Sequence, residues 1–310
     1  MKLATSTYVK IALIVVLCLG VCGFFGGCGR GLWWPGLVAP GGLLGCGAWL
    51  VPAVSEIDGV VQSDTPETTT EGSHFEVDSN EIKRIELNWL AGNVDVRVVP
   101  GAETHGKIVV DEKVQSGSSP VMVCDAVGEE LAINYMEGSE GLSGCSMGWR
   151  GEKSLTVLIP DDLNDQLEML DVEAASGRYE IAGVSCRRLN LGVASGELNA
   201  TDVTAGTVDV AQASGRVNVE GSIDGALSID QASGDCSVVS RDATPGKITG
   251  TLMSGTLRVG LPADAIVDCA VDKMSGSFTT TLPNSVEAGM AATCTLDFDM
   301  SSGNFTLDAA

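Results

Sequence analysis

The sequence predicts an all-β fold: a single-domain β-solenoid with coils of about 20 residues, behind an N-terminal hydrophobic membrane anchor. Three observations carry this. A phrase built on Ser-Gly returns at Ser176-Gly177, Ser195-Gly196, Ser214-Gly215, Ser233-Gly234, Ser254-Gly255, Ser275-Gly276 and Ser302-Gly303. Successive serines stand 19, 19, 19, 21, 21 and 27 residues apart, the self-similar spacing of stacked repeat units. Around each copy, apolar and polar residues alternate with the period of a half-buried strand, and no useful run of helical period interrupts them.

The alternation is explicit once the copies are aligned. Three residues after each serine stand Tyr179, Leu198, Val217, Cys236, Leu257, Phe278 and Phe305, apolar in every copy. The next position is polar throughout: Glu180, Asn199, Asn218, Ser237, Arg258, Thr279 and Thr306. The fifth is apolar in all but Thr280: Ile181, Ala200, Val219, Val238, Val259 and Leu307. Early repeats add a second apolar pair, Leu189 and Leu191, Val208 and Val210, Leu227 and Ile229. Two or three short strands per coil follow, each with one face inward. A glycine after the serine suits a corner that needs positive φ or no side chain.

At the N-terminus, Lys2 and Lys10 precede the uncharged apolar run Ile11 to Phe25, and the stretch from Val9 to Gly29 is long enough to cross a bilayer. Trp33 and Trp34 follow where an interfacial aromatic belt would place them. Residues 1–54 are therefore expected to be the anchor region, one helix followed by a Gly/Pro-rich apolar stretch. Pro35, Pro40, Gly41 and Gly42 weaken the alternative, a two-helix hairpin that returns the domain to the cytoplasm. A lipoprotein signal with Cys28 acylated is the third reading. The expected topology is single-pass in a bacterial cytoplasmic membrane, with the repeat domain outside.

Residues 55–74 turn polar and Thr-rich and read as a flexible linker. The repeat domain is expected over 75–310, because Ala91-Gly92-Asn-Val94-Asp-Val96 keeps the register with Ala in place of Ser. About eleven coils at the strand spacing would make a rod some 50 Å long. Residues 136–151 interrupt the pattern as a protruding insert. The chain stops directly after the Ser302-Gly303 repeat, so the last coil is expected to expose strand edges and to favour end-to-end self-association.

The apolar-x-Ala-Ser-Gly-x-apolar-x-apolar phrase behind an N-terminal hydrophobic segment resembles the bacterial putative-adhesin family of β-strand-repeat proteins, a domain of unknown function. The resemblance covers about residues 75–310. It also rests on the Leu-Ile-Pro160 and Gly-Leu-Pro262 turns. It implies an architecture and suspected adhesion; the family carries no catalytic motif to transfer.

Net charge is −23, and residues 56–310 hold all 41 acidic residues against 15 basic ones. Such a surface repels phosphate backbones, which excludes nucleic acid as a partner. His74 and His105 are the only histidines, without metal-ligand spacing, and phosphate loops and nucleophile elbows are absent from the sequence. No catalytic residue, cofactor or metal is expected. Seven like serines with no histidine beside them read as a hydroxyl ladder at a corner, since an activated serine needs a base. Two residues after each serine, Arg178, Glu197, Arg216 and Asp235 alternate in sign and predict cross-coil ion pairs, while Glu180, Asn199 and Asn218 predict a short amide ladder. Nonapeptide calcium repeats do not fit the period.

Ten cysteines divide into Cys18, Cys22, Cys28 and Cys46 near the N-terminus and six in the domain, which allow 15 pairings. Cys124 and Cys145 flank the insert and form the expected disulfide; Cys236 falls in an inward column as a small hydrophobe. The function expected is a non-enzymatic, membrane-anchored envelope module that binds or scaffolds an unknown protein or glycan. The alternatives are a polysaccharide-active β-helix enzyme using Glu180 or Glu197 with Arg178 or Arg216, and an envelope-stress sensor.

Overall fold

A computed structural model describes residues 67–69, 72–114, 122–135, 153–164 and 166–310. The expected anchor, most of the expected linker, and the insert with Cys145 lie outside the described residues. Among the described residues, no helix is long and apolar enough to cross a membrane.

The chain is all-β and β-solenoid-like, with two columns of parallel strands meeting at the Ser-Gly corner. One column holds the strands that follow the corner. In spatial order these are Lys153–Pro160, Asn93–Val99, Arg178–Ala182, the first parts of Glu197–Gln212 and Arg216–Gln231, then Asp235–Ser240, Thr256–Leu261, Asn304–Ala309 and Ser277–Thr280. The other holds the strands that precede it. These are Glu130–Tyr135, Arg84–Trp89, Met169–Ala174, Ser185–Val193, the last parts of Glu197–Gln212 and Arg216–Gln231, then Lys247–Leu252, Cys294–Met300 and Val267–Lys273. One strand from each column makes a coil, so the stack runs about 38 Å from first coil to last at the usual strand spacing.

The alternation read from the sequence is what places the core. Tyr179, Leu198, Val217, Cys236, Leu257 and Phe305 stack in register and are all buried, as are Ile181, Ala200, Val219, Val238, Val259 and Leu307. Each such Leu, Val or Phe stabilises the fold by roughly 1.5–3 kcal/mol relative to exposure. The repeat thus builds a continuous apolar interior rather than a cavity.

The stack has fewer coils than the eleven expected, because strands near the N-terminus pair antiparallel. Gly72–Asp78 runs against Lys107–Val114, which runs against Lys153–Pro160. Met122–Val127 forms a hairpin with Glu130–Tyr135. The two-residue turn at Gly128-Glu129, with Gly128 at φ 60, permits this, whereas a parallel return needs a crossover. These strands extend both columns and cover the N-terminal end of the stack.

Coil order departs from chain order at both ends. The 84–99 coil lies between the 130–160 coil and the one containing Met169–Ala174. At the far end, the last repeat is not the last coil. Cys294–Met300 and Asn304–Ala309 are inserted between the 247–261 coil and the 267–280 coil. The expectation of an uncovered final repeat is corrected accordingly. The physical reason is fit: Phe298 takes the space beside Gly250 and is buried with Phe305, their rings 4.8 Å apart. Lys273, by contrast, falls in the inward column of Met300 and Leu252 and is exposed, which only an outermost coil permits.

Candidate functional site

The corner is where the repeat concentrates its chemistry. Gly177, Gly196, Gly215, Gly234, Gly255, Gly276 and Gly303 all have positive φ, between 88 and 120°. A Cβ on Gly215 would lie 2.2 Å from the carbonyl oxygen of Gly196, and one on Gly276 would lie 2.1 Å from that of Gly303. Glycine is thus required twice, for the turn and for the approach of the next coil.

The serines face the coil beside them. Ser176 donates to the Leu90 carbonyl at 3.0 Å, Ser214 to Ala194 at 3.1 Å, Ser233 to Ala213 at 3.0 Å and Ser254 to Ala232 at 3.0 Å. Ser275 donates to Ser301 at 2.9 Å and Ser302 to Met253 at 2.8 Å. Their backbone N–H groups bond across the same gap, as Ser195 does to Ala175. The hydroxyls are hydrogen-bond donors to backbone, and the histidines sit elsewhere. His74, in the N-terminal hairpin, bonds to Asp111 at 2.6 Å and Glu76 at 3.2 Å, and His105 terminates the short helix Gly101–Thr104.

Two features of the corners escaped the sequence reading. Gln212 and Gln231, two residues before Ser214 and Ser233, are buried and reach under the corner. The Gln212 amide donates to the Gly215 carbonyl at 2.9 Å and the Asp235 carbonyl at 3.2 Å; Gln231 does the same to Gly234 and Thr256 at 2.7 and 3.2 Å. Each Gln ties its own corner to the next coil. A second glycine ladder, Gly206, Gly225 and Gly246, closes another corner, since a Cβ on Gly225 would meet the Gly206 carbonyl at 2.4 Å. The signal was present: these glycines stand eight residues before Ser214, Ser233 and Ser254.

The residues proposed for an enzymatic alternative do come together, on one outward sheet face. Arg178 pairs with Glu197 at 2.9 Å, and Arg216 reaches Glu197 at 4.0 Å and Asp235 at 3.9 Å. Asn199 donates to Glu180 at 3.0 Å and accepts from Asn218 at 2.8 Å. Their polar atoms serve one another across coils. A shallow recess of about 260 Å³ lies on another side, lined by Asp202, Glu220, Arg241 and Asp242 and held by an Arg241–Glu220 pair at 2.6 Å.

Cys124, Cys186, Cys236 and Cys294 are buried free thiols, and Cys269 is a half-buried one. Burial pushes the thiols of Cys124, Cys236 and Cys294 up to about 12 and that of Cys186 to about 11, so they are protonated and poor nucleophiles. Cys124 carries no disulfide in this structure, and its expected partner Cys145 lies outside the described residues. No group of His, Cys, Asp and Glu that could hold a metal ion occurs among the described residues.

With the corners and ladders placed, the sequence profile of the Toastrack DUF4097 family matches residues 82–309, from just before Arg84–Trp89 to the end of Asn304–Ala309. The chain belongs to the Toastrack family. Among curated proteins, none matches it. Solved structures similar to this Toastrack chain include "a putative adhesin" from Bacteroides fragilis, at 12% identity and TM-score 0.47, over 78% of this chain and 98% of that one. A "putative lipid binding protein" from Parabacteroides distasonis is 14% identical, with TM-score 0.40 over 78% and 98%. A "putative cell adhesion protein" from Clostridium sporogenes is 9% identical, with TM-score 0.35 over 77% and 100%.

Proposed function

We propose that this Toastrack protein is a non-enzymatic binding or scaffolding module of the bacterial cell envelope, anchored by its N-terminal segment, with the coil stack presented outside. One observation carries the non-enzymatic reading: the side chains that would do chemistry hold coils to one another. Arg178, Glu197, Arg216 and Asp235 form one ladder, Glu180, Asn199 and Asn218 another, and the corner hydroxyls bond to backbone. A carboxylate held in ion pairs on a solvated sheet face lacks the enclosure that general acid catalysis of glycoside cleavage uses.

Glu67–Thr69 pairs with Gly72–Asp78 at the antiparallel, N-terminal end of the stack. The 267–280 coil lies at the opposite end of the stack. The partner is a protein or a glycan.

Two measurements test this reading. Protease treatment of intact cells should remove the repeat domain; a domain left untouched contradicts the external placement. Full-length protein incubated with extracted cell-wall glycans should retain ligand or leave it unbound without releasing shortened products. Product release that depends on Glu180 or Glu197 would establish the enzymatic alternative instead.

A further inference from the structure

The two ends of the stack are finished differently. The N-terminal end is covered by Gly72–Asp78, Lys107–Val114 and Met122–Val127. At the other end, Val267–Lys273 pairs with Cys294–Met300 and Ser277–Thr280 pairs with Asn304–Ala309, each on one side only among the described residues, apart from a single bridge from Val267 to Asn284. The 267–280 coil therefore presents strand edges, with the backbone groups an added strand would need. The Val267 end of this edge meets Pro283 and the short helix Ser285–Ala288, and exposed Met274 follows directly after the strand at its other end.

We propose that the Val267–Lys273 edge takes an extended segment of a partner protein that carries Lys or Arg at alternate positions. This deepens the binding-module reading by naming a class of partner. The edge selects the occupant through its two rows. In the outward row, Asp268 and Asp272 are exposed, and Asp297 and Asp299 on the adjacent strand stand opposite Ala270 and Asp272. Four carboxylates thus face the same side of two adjacent strands and complement basic side chains on an incoming strand. In the inward row, half-buried Cys269 and Val271 offer apolar contact to the alternate residues. Main-chain bonding supplies affinity in such strand addition, and the alternating side chains supply selectivity.

The same rows disfavour a second copy of this chain. An antiparallel pairing about Ala270 that keeps both inward faces together sets Asp268 opposite Asp272 of the copy, twice over, and like charges placed so repel. Lys273 adds an inward-pointing charge at the end of the edge, a feature that blocks indiscriminate edge association. End-to-end self-association is thereby an outcome to test against.

The test uses full-length protein in detergent and a fluorescein-labelled peptide, Thr-Lys-Val-Lys-Val-Lys-Thr, with its Lys→Glu counterpart as control. The Lys peptide should bind saturably and slow hydrogen exchange in residues 267–280. Its affinity should fall at least tenfold in Asp268→Lys/Asp272→Lys, while Asp125→Lys at the opposite end leaves it unchanged and the Glu peptide does not bind. The proposal is overturned by no binding, by equal losses in both variants, by protection elsewhere, or by concentration-dependent dimers that protect the same strand. Binding of a cell-wall glycan with no peptide binding would leave the module reading standing and remove this one.

Discussion

Phe298 occupies the space that Gly250 leaves open. The two face each other in register on adjacent strands, and a Cβ built on Gly250 would come within 2.9 Å of the Phe298 ring. The ring also packs against Phe305, which in turn meets Phe278 of the outermost coil at 5.1 Å. This fit is what lets the last repeat enter beneath the one before it.

Phe298→Ala should therefore destabilise the protein by about 3–5 kcal/mol, the usual cost of emptying a buried aromatic site. Denaturant unfolding reads the change. A loss below about 1 kcal/mol would mean that Phe298 does not fix the layer.

The corner glycines should be far less tolerant than the serines beside them. Gly215→Ala forces a side chain at φ 88 against the Gly196 carbonyl and should cost about 1–3 kcal/mol from backbone strain alone. Ser214→Ala removes only the bond to Ala194 and should cost about 0.5–1.5 kcal/mol. Thermal melts of the two variants should separate in that order.

Glu197→Arg places a third guanidinium between Arg178 and Arg216. All three sites are partly solvated, so the loss should stay near or below about 1 kcal/mol. It should shrink further in 1 M salt, where the Debye length is about 3 Å. A loss of glycan or protein binding without any change in stability would instead mark the ladder as a ligand face.

His74 supplies a pH dependence with a definite sign. Its hydrogen bond to Asp111, aided by Glu76, raises its pKa above the ordinary 6.5. The stabilisation from protonated His74 is thus fully present below pH 6.5 and is lost as pH rises through the folded value. An NMR titration should find the imidazole above 6.5, and Asp111→Asn should bring it down.

Buried thiols should resist alkylation. Cys236 and Cys294, with pKa values near 12, should react with iodoacetamide at pH 8 only after denaturation. Mass spectrometry of native and unfolded samples separates the two cases.

The inward columns were legible in the sequence because the strand period is locked to Ser-Gly: Tyr179, Leu198 and Val217 could face only one way once the corner was set. The order of the coils was not, because every copy offers much the same edge to a neighbour. Local alternation does not encode which copy lies above which. That choice rests on long-range fits such as Phe298 with Gly250, and on Lys273 in a column that suits only an outer layer. Nor does alternation distinguish a parallel coil from an antiparallel hairpin, so Lys107–Val114 and Met122–Val127 were legible as strands but not as antiparallel ones. Of the candidate site, the ion pairs followed from charges alternating every 19 residues. Gln212 and Gln231 did not, because a polar residue in an inward column reads as an exception until its carbonyl partners are seen.

Hydrogen exchange across the last two coils of the full-length protein tests the arrangement most directly. With the final repeat inside, amides of Asn304–Ala309 should exchange only through near-global unfolding, while those of Val267–Lys273 and Ser277–Thr280 exchange faster through local opening. The reverse order, with the C-terminal strand exchanging first, would contradict the inverted coils and the open edge that depends on them.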